Sequence, residues 1–340
     1  MSILIVGGTG YIGSHTTIEI IKKNKDVIVV DNLSNSNIEV LNRIEELTAT
    51  KPKFYKLDVQ DREKLETVFK ENNIESVIHF AAFKCVGESV KKPLQYYSNN
   101  IVNTIVLLEM MKKYDVKKFV FSSSAAVYGN QIKCPIKEEF PLAPTNPYGQ
   151  TKFMIENILR DICKVDKSFN VPILRYFNPV GAHKSGRVGE DTNGKPNNLI
   201  PYITKVAIGE LEELYVFGSD YNTSDGTGVR DYIHVVDLAL AHIKVLDKLD
   251  NNPGLLIYNI GTGKGYSVLD VINAFSKISG IDIKYKIIDR RIGDIGICYA
   301  DTTKAKKELG WQTKYNLYDM CRDSWRWKTL NPNGYKKDKF

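Results

Sequence analysis

One junction constrains this chain more than any other: an apolar, strand-like run that breaks directly into glycines. Ile3-Leu4-Ile5-Val6 is followed by Gly7-Gly8-Thr9-Gly10-Tyr11-Ile12-Gly13, and then by the helix-like stretch Ser14–Lys23. A strand, a tight turn and a helix satisfy that order. Glycines at 7, 10 and 13 let the backbone turn sharply and approach a pyrophosphate, which then rests on the N–H groups of the helix start. Taken alone, the same glycines would serve only close packing of helix on strand. The next strand-like run, Val27–Val30, ends at Asp31. A carboxylate there accepts from both hydroxyls of an adenosine ribose and repels a 2′-phosphate. Together these features predict a dinucleotide site that takes NAD rather than NADP. Asp58, after the third strand, suits either an adenine edge or the cap of the helix beginning near Asp61.

Short β-branched runs recur at Ile3–Val6, Val27–Val30, Phe54–Leu57, Val77–Phe80, Phe119–Phe121 and Ile173–Leu174. Helix-length stretches such as Arg62–Phe69 and Ile101–Met111 lie between them. Strands alternating with helices argue for βαβ units and a sheet buried on both faces. The expected fold is α/β: a doubly wound parallel Rossmann sheet with a smaller α/β C-terminal substrate domain. The division is expected near residue 176, with 1–176 binding the dinucleotide, 177–340 binding substrate, and about 231–260 returning to the first domain. After Arg175 the rhythm breaks, and 181–198 and 218–230 read as long loops of the kind that carry function. Val235, Leu238, Ala239, His242 and Leu246 then recur at helical spacing.

Composition excludes several classes. The 47 basic and 40 acidic residues leave +7, spread along the chain except in the tail Lys336, Lys337 and Lys339. No basic stripe for nucleic acid is visible. No apolar run exceeds four residues, so no membrane-spanning helix is expected, and the first residues lack the basic region of a signal peptide. The five cysteines (Cys85, Cys134, Cys163, Cys298, Cys321) are odd in number and widely spaced. That pattern predicts neither a disulfide framework nor a zinc site; no metal is expected, and reduced thiols point to the cytoplasm. His79, inside a strand, reads as a packed, hydrogen-bonded histidine.

Tyr148-Gly149-Gln150-Thr151-Lys152 places a phenol and an ammonium four residues apart, on one face of a helix. An ammonium beside a phenol favours the phenolate and lowers its pKa from about 10. Such a pair is common on solvated helices. Here it follows Phe121-Ser122-Ser123-Ser124 at a strand end, where ligands of open α/β sheets bind. Glycine turn, terminal serine, tyrosine and lysine in this order resemble the extended short-chain dehydrogenase/reductase superfamily.

Longer strings narrow the resemblance. Ile78-His79-Phe80-Ala81-Ala82-Phe83-Lys84, Ser122-Ser123-Ser124-Ala125-Ala126-Val127-Tyr128-Gly129, Leu174-Arg175-Tyr176-Phe177-Asn178-Pro179, Pro196-Asn197-Asn198-Leu199-Ile200-Pro201 and Asp225-Gly226-Thr227-Gly228-Val229-Arg230-Asp231-Tyr232 are similar to the UDP-glucose (UDP-galactose) 4-epimerases. The likeness runs from Met1 to about Trp327. Nucleotide-sugar 4,6-dehydratases share the opening motifs but carry an acidic pair where this chain has Ala125-Ala126. Two alanines cannot supply the acid and base that loss of water demands.

The resemblance implies reversible C4 epimerisation of UDP-galactose and UDP-glucose through transient oxidation by bound NAD. It assigns Tyr148 as the base, Ser124 as the group that orients the 4-hydroxyl, and Lys152 as support for the phenolate. It implies a cofactor site of Gly7, Gly10, Tyr11, Ile12, Gly13, Asp31, Asn32, Asn35, Ser36, Asp58, Val59, Phe80, Ala82, Lys84, Asn99, Ser122, Tyr148, Lys152 and Tyr176. It implies substrate contacts from Lys84, Ser124, Tyr148, Asn178, Asn198, Leu199, Phe217, Arg230, Arg291 and Asp294. Members with a small residue aligned to Cys298 also accept UDP-N-acetylglucosamine and UDP-N-acetylgalactosamine, so Cys298 is expected to gate the sugar pocket, with Tyr299 facing away by strand alternation. A homodimer without nucleic-acid or membrane partners is implied too. Two alternatives stay open: a 4-epimerase for another UDP-sugar, such as UDP-xylose or UDP-glucuronate, and a non-catalytic NAD-bound scaffold.

Overall fold

The computed structural model describes residues 1–131, 133–191, 198–291 and 294–335. The tail lysines, Pro196-Asn197 and Gly293 lie outside the described residues. Six strands in chain order are β1 (Ser2–Val6), β2 (Asp26–Asp31), β3 (Lys53–Lys56), β4 (Ile74–His79), β5 (Lys118–Ser124) and β6 (Val171–Tyr176). A seventh, Leu255–Ile260, pairs with β6. The order across the sheet is Leu255–Ile260, β6, β5, β4, β1, β2, β3, and every pairing is parallel. This is the doubly wound sheet that the alternation predicts.

Both faces are buried, which explains the unbroken apolar strands. Along β1, Ile3 and Ile5 join the cluster on one face, with Ile18, Leu238 and Leu246. Leu4 and Val6 join the other, with Leu65, Leu107 and Leu159. Successive side chains of a strand point to opposite faces, so a strand covered on both sides has no polar alternate to offer.

The covering helices are α1 (Tyr11–Ile21), α2 (Glu39–Thr48), α3 (Arg62–Glu71), α4 (Val86–Lys91), α5 (Pro93–Tyr97), α6 (Asn103–Lys113) and α7 (Pro147–Val165). The expected helix Ile101–Met111 starts later than its periodicity says. A single π turn, Ser98–Val102, precedes α6. Asn100 sits on that turn, and its amide bonds Phe83 N, Phe83 O and Thr151 Oγ1 at 2.8–3.0 Å. Those bonds tie the turn to the loop after β4, and a wide turn of this kind marks functional regions.

After β6 the strands become short. Asn178–Val180 pairs with Tyr232–His234, Val229–Arg230 lies between Tyr266–Ser267 and Ile297–Cys298, and Leu214–Phe217 pairs with Tyr285–Ile288. Ile203, Val216, Phe275 and Met320 centre a separate apolar cluster there. The helical spacing from Val235 is realised as Val235–Leu249. Among the described residues no helix is long and apolar enough to cross a membrane.

All five histidines are buried. Burial pushes His15 and His79 down to about 3, and His183 and His242 down to about 4. His79 Nε2 lies 3.2 Å from Thr104 Oγ1, while its Nδ1 has no partner. A depressed histidine pKa stabilises the fold fully above about 6.5 and loses that contribution as pH falls. Between pH 7 and pH 5 each such group costs about 2 kcal/mol. The urea midpoint should therefore drop markedly over that interval, before carboxylates titrate; an unchanged midpoint would refute the assignment.

Candidate active site

A cleft of ≈ 750 Å³ opens at the C-terminal ends of β1, β4, β5 and β6, where the chain order reverses between β1 and β4. The glycines make its floor. Gly7 has φ +83°, and a Cβ there would lie 2.7 Å from Ala81 N. A Cβ on Gly13 would overlap the Gly7 carbonyl oxygen. Gly10 caps α1 without a side-chain bond, so the helix start presents backbone N–H groups to the cleft. Asp31 stands at the end of β2. Its Oδ2 accepts from Thr9 N at 3.2 Å, and its Oδ1 from Leu33 N and Ser36 Oγ at 2.9 and 3.1 Å. Asp58 accepts from Asn32 Nδ2 at 3.0 Å. The helix cap falls instead to Asp61, which accepts from Lys64 N, leaving Asp58 in the cleft wall. Tyr11, Ile12, Asn35, Ser36, Val59, Phe80, Ala82, Lys84 and Asn99 line the same wall.

The reacting end is built by two close approaches. Ser124 ends β5 and its Oγ accepts from Ala126 N at 3.1 Å, capping the short turn Ala125–Tyr128. Asn146 caps α7 by accepting from Gly149 N at 2.9 Å, with Pro147 in the first turn. A Cβ on Gly149 would lie 2.7 Å from Ala126 O. Glycine at that position lets α7 press against the turn, and Tyr148 comes to Ser124. Burial raises the Tyr148 pKa, while its hydrogen bond with Ser124 lowers it.

Lys152 departs from expectation. Its ammonium does not counter the rise at Tyr148; it donates to Ser122 O at 2.8 Å and lies 4.9 Å from the Phe121 ring centroid. The side chain is buried, and desolvation pulls its pKa down to about 7 against the field of Glu156. Ser122 is a second departure. Its hydroxyl meets His242 Nε2 at 3.0 Å on the opposite face of the sheet, so Ser122 reaches the cleft only through the carbonyl that holds Lys152.

On the far side, Tyr176, Asn178, Asn198, Arg230, Asp294 and Cys298 line the cleft. Arg230 Nη2 pairs with Asp294 Oδ1 at 2.7 Å. Arg291 and Phe217 lie outside the wall and stack on each other, guanidinium to ring centroid 3.7 Å. Leu199 packs against the separate apolar cluster rather than lining the cleft. Cys298 is buried in the wall beside Ile295, while Tyr299 lies against Gly265 instead. Sequence reasoning missed Asn103 and Glu190. Asn103 lines the cleft with an unpartnered, buried Oδ1, and four-residue spacing from Asn99 is the signal that points to it. Glu190 Oε1 takes Lys84 Nζ at 3.0 Å and Asn198 Nδ2 at 3.2 Å; no motif announced it.

The cradle that excludes a Cβ, the helix start and the carboxylate of Asp31 fit a dinucleotide diphosphate. Comparisons agree. Residues 4–324 match the family described as GDP-mannose 4,6 dehydratase. The chain is 59% identical over 336 residues to a UDP-glucose 4-epimerase of Bacillus subtilis, covering 99% of each. A crystal structure of UDP-glucose 4-epimerase from Bifidobacterium longum, in complex with NAD⁺ and UDP, superposes with a TM-score of 0.95 at 55% identity, covering 98% of this chain and 100% of that one. The UDP-Glc/GlcNAc 4-epimerase of Campylobacter jejuni superposes at 0.85 and 39% identity, covering 97% and 99%.

The cradle is testable by Gly13→Ala. The added methyl forces the β1–α1 turn open, and NAD affinity measured by titration calorimetry should fall at least about tenfold, or ~1.4 kcal/mol. Wild-type affinity in that variant would remove the cradle.

Proposed function

The chain belongs to the UDP-glucose 4-epimerase family, and from that premise we propose that it interconverts UDP-galactose and UDP-glucose at C4, with NAD as resident cofactor. The observation that carries this reading is the meeting of Ser124, Tyr148 and Lys152 at the end of a dinucleotide-shaped cleft whose neighbouring turn holds Ala125 and Ala126. The alanines matter as much as the triad. C4 carries no acidic proton, so inversion there needs oxidation and return. Eliminating water would need further acids and bases that this turn lacks.

When bound, NAD⁺ supplies the hydride acceptor and a positive charge in the cleft. The chain supplies the rest. Tyr148 takes the proton of the sugar 4-hydroxyl and later gives it back. Left to its surroundings the phenol stays protonated, because burial outweighs the Ser124 hydrogen bond; a cation brought beside it favours the phenolate. Ser124 orients the hydroxyl. Lys152, fixed by Ser122 O, adds a second positive charge one helical turn along from the phenol. Asp31 accepts from the adenosine ribose and selects against a 2′-phosphate. Gly7, Gly10, Tyr11, Ile12, Gly13 and Lys84 follow the diphosphate.

On the sugar-nucleotide side, Arg230 serves the diphosphate by charge-assisted hydrogen bonds, Asp294 the uridine ribose, and Asn178 and Asn198 the sugar end, while Arg291, Phe217 and Leu199, which stand outside the cleft wall, take the part of the nucleotide that extends beyond it. This assigns residues 177–340 to substrate and 1–176, with the returning strand, to cofactor. None of the five cysteines forms a disulfide, which supports a reducing, cytoplasmic setting. Val90, Leu94, Val102, Ile105 and Met154 leave an exposed apolar surface on α4–α7, which supports a homodimer.

Tyr148→Phe keeps the ring and removes the ionisable oxygen. Cofactor and UDP should still bind, while turnover of UDP-galactose falls by about 10²–10⁴; near-wild-type turnover would end the mechanism.

Cys298 extends the substrate range. A thiol in the wall leaves volume for a 2-acetamido group that a phenol ring would fill, so UDP-N-acetylglucosamine and UDP-N-acetylgalactosamine are substrates as well. Cys298→Tyr should abolish turnover of the N-acetylated pair and spare UDP-galactose. If the wild type leaves UDP-N-acetylgalactosamine untouched while turning over UDP-galactose, the gate lies elsewhere.

A further inference from the structure

Lys152 is a buried ammonium whose hydrogen bond goes to a neutral carbonyl. Charges of that kind are costly without an anion nearby. The nearest acidic partner along its own helix is Glu156, one turn on, and Glu156 is itself fully buried. Its carboxylate is held from three elements. Ser123 Oγ of β5 donates to Oε1 at 2.7 Å, Arg175 of β6 donates through Nε at 2.9 Å and through Nη2 to Oε2 at 2.6 Å, and Arg160 Nη2 of α7 reaches Oε2 at 3.4 Å. Arg175 continues to Tyr128 Oη at 2.9 Å, and Tyr128 to Asn259 Oδ1 at 2.6 Å. The network thus joins α7 to the residue before Ser124 and to the turn that follows it.

From this geometry we infer that Glu156 is a positioning residue of the reaction: it sustains the charge of Lys152 and locks the end of β5 that carries Ser124. The inference rests on the epimerase reading.

Other groups around Lys152 do not take this part. Tyr148 on α7, Tyr128 after β5 and Tyr176 on β6 are phenols raised by burial. His79 on β4 is held neutral, down to about 3, by burial and by Lys152 itself. Arg160 and Arg175 are cations that oppose a neighbouring ammonium. Glu88 and Lys92, at the α4–α5 junction, pair with each other. Glu156 is the anion whose field raises the Lys152 pKa against burial.

The test is the pH profile of kcat/KM for UDP-galactose, measured on NAD-loaded enzyme. The active form holds Tyr148 ionised and Lys152 charged, so the basic limb reports Lys152. In Glu156→Gln that limb should move to lower pH by about one unit, a tenfold change in the Lys152 equilibrium, with kcat falling and KM little changed. Glu156→Asp keeps the charge and should keep the limb. Removing one partner of a buried pair destabilises a fold, whereas removing both is tolerated. Glu156→Gln combined with Arg175→Met provides a folded variant without the carboxylate and without the cation that opposes Lys152, so its basic limb should lie above that of Glu156→Gln alone. A basic limb unmoved in Glu156→Gln, or lying no higher in the double variant than in Glu156→Gln, overturns the inference. A wild type that fails to epimerise UDP-galactose overturns the epimerase reading instead.

Discussion

Everything in the cleft depends on how closely backbone approaches backbone at the sheet's C-terminal edge. Gly13 packs its α-carbon against the Gly7 carbonyl, Gly7 turns under Ala81, and Gly149 presses α7 onto Ala126. Each contact excludes a methyl group. The first two bring the start of α1 across β1 and β4, so its N–H groups and positive dipole end face the cleft. The third brings a phenol and an ammonium on α7 to the serine at the end of β5. Without these contacts the same side chains would sit on the same elements but too far apart to share one proton.

Burial then decides the chemistry of those side chains. The dry surroundings that exclude water from Tyr148 and Lys152 drive both toward neutrality, the phenol upward and the ammonium down to about 7. Burial therefore resists a phenolate–ammonium pair, and a cation beside the phenol favours its phenolate half. That dependence suits a reaction in which the base must act only when cofactor and sugar are both present. It also explains why the network behind the site is ionic. The Arg175–Glu156 pair is buried, and such pairs add little to net stability compared with apolar packing. Its position one helical turn from Lys152 offers a functional reason for the arrangement.

The sheet was legible because its strands are apolar on both faces, and the glycine turn because nothing else follows a strand so abruptly. Three features were not. β5 extends through Ser122, Ser123 and Ser124, beyond the apolar run Phe119–Phe121, because its polar end leaves the core for the cleft. Alternation sends those serines to different partners: Ser122 to His242 on one face, Ser123 to Glu156 on the other. A motif treats them as one string and does not tell which of them faces the cleft. The π turn before α6 is set by Asn100 and its bonds to Phe83, a long-range tie that helical periodicity does not register. Glu190 acts through Lys84 and Asn198, which are 106 and 8 residues away; only the folded chain brings the three together.

The substrate side obeys a different rule from the cofactor side. Gly7, Gly13 and Asp31 are already arranged as their ligand needs them, whereas the charges opposite are satisfied by one another. Arg230 holds Asp294, Arg290 holds Asp220, and Arg291 lies over Phe217. On the proposed epimerase reading, a diphosphate entering there takes Arg230 from Asp294, and that carboxylate accepts from a ribose instead. Such an exchange trades one ion pair for another and leaves Asp294 with neutral donors alone, so its net strength is modest compared with the sum of its contacts. Modest grip has a use in this reaction. The nucleotide must be held while the sugar presents first one face of C4 and then the other, and the product, differing at a single carbon, must leave from the same contacts that admitted the substrate.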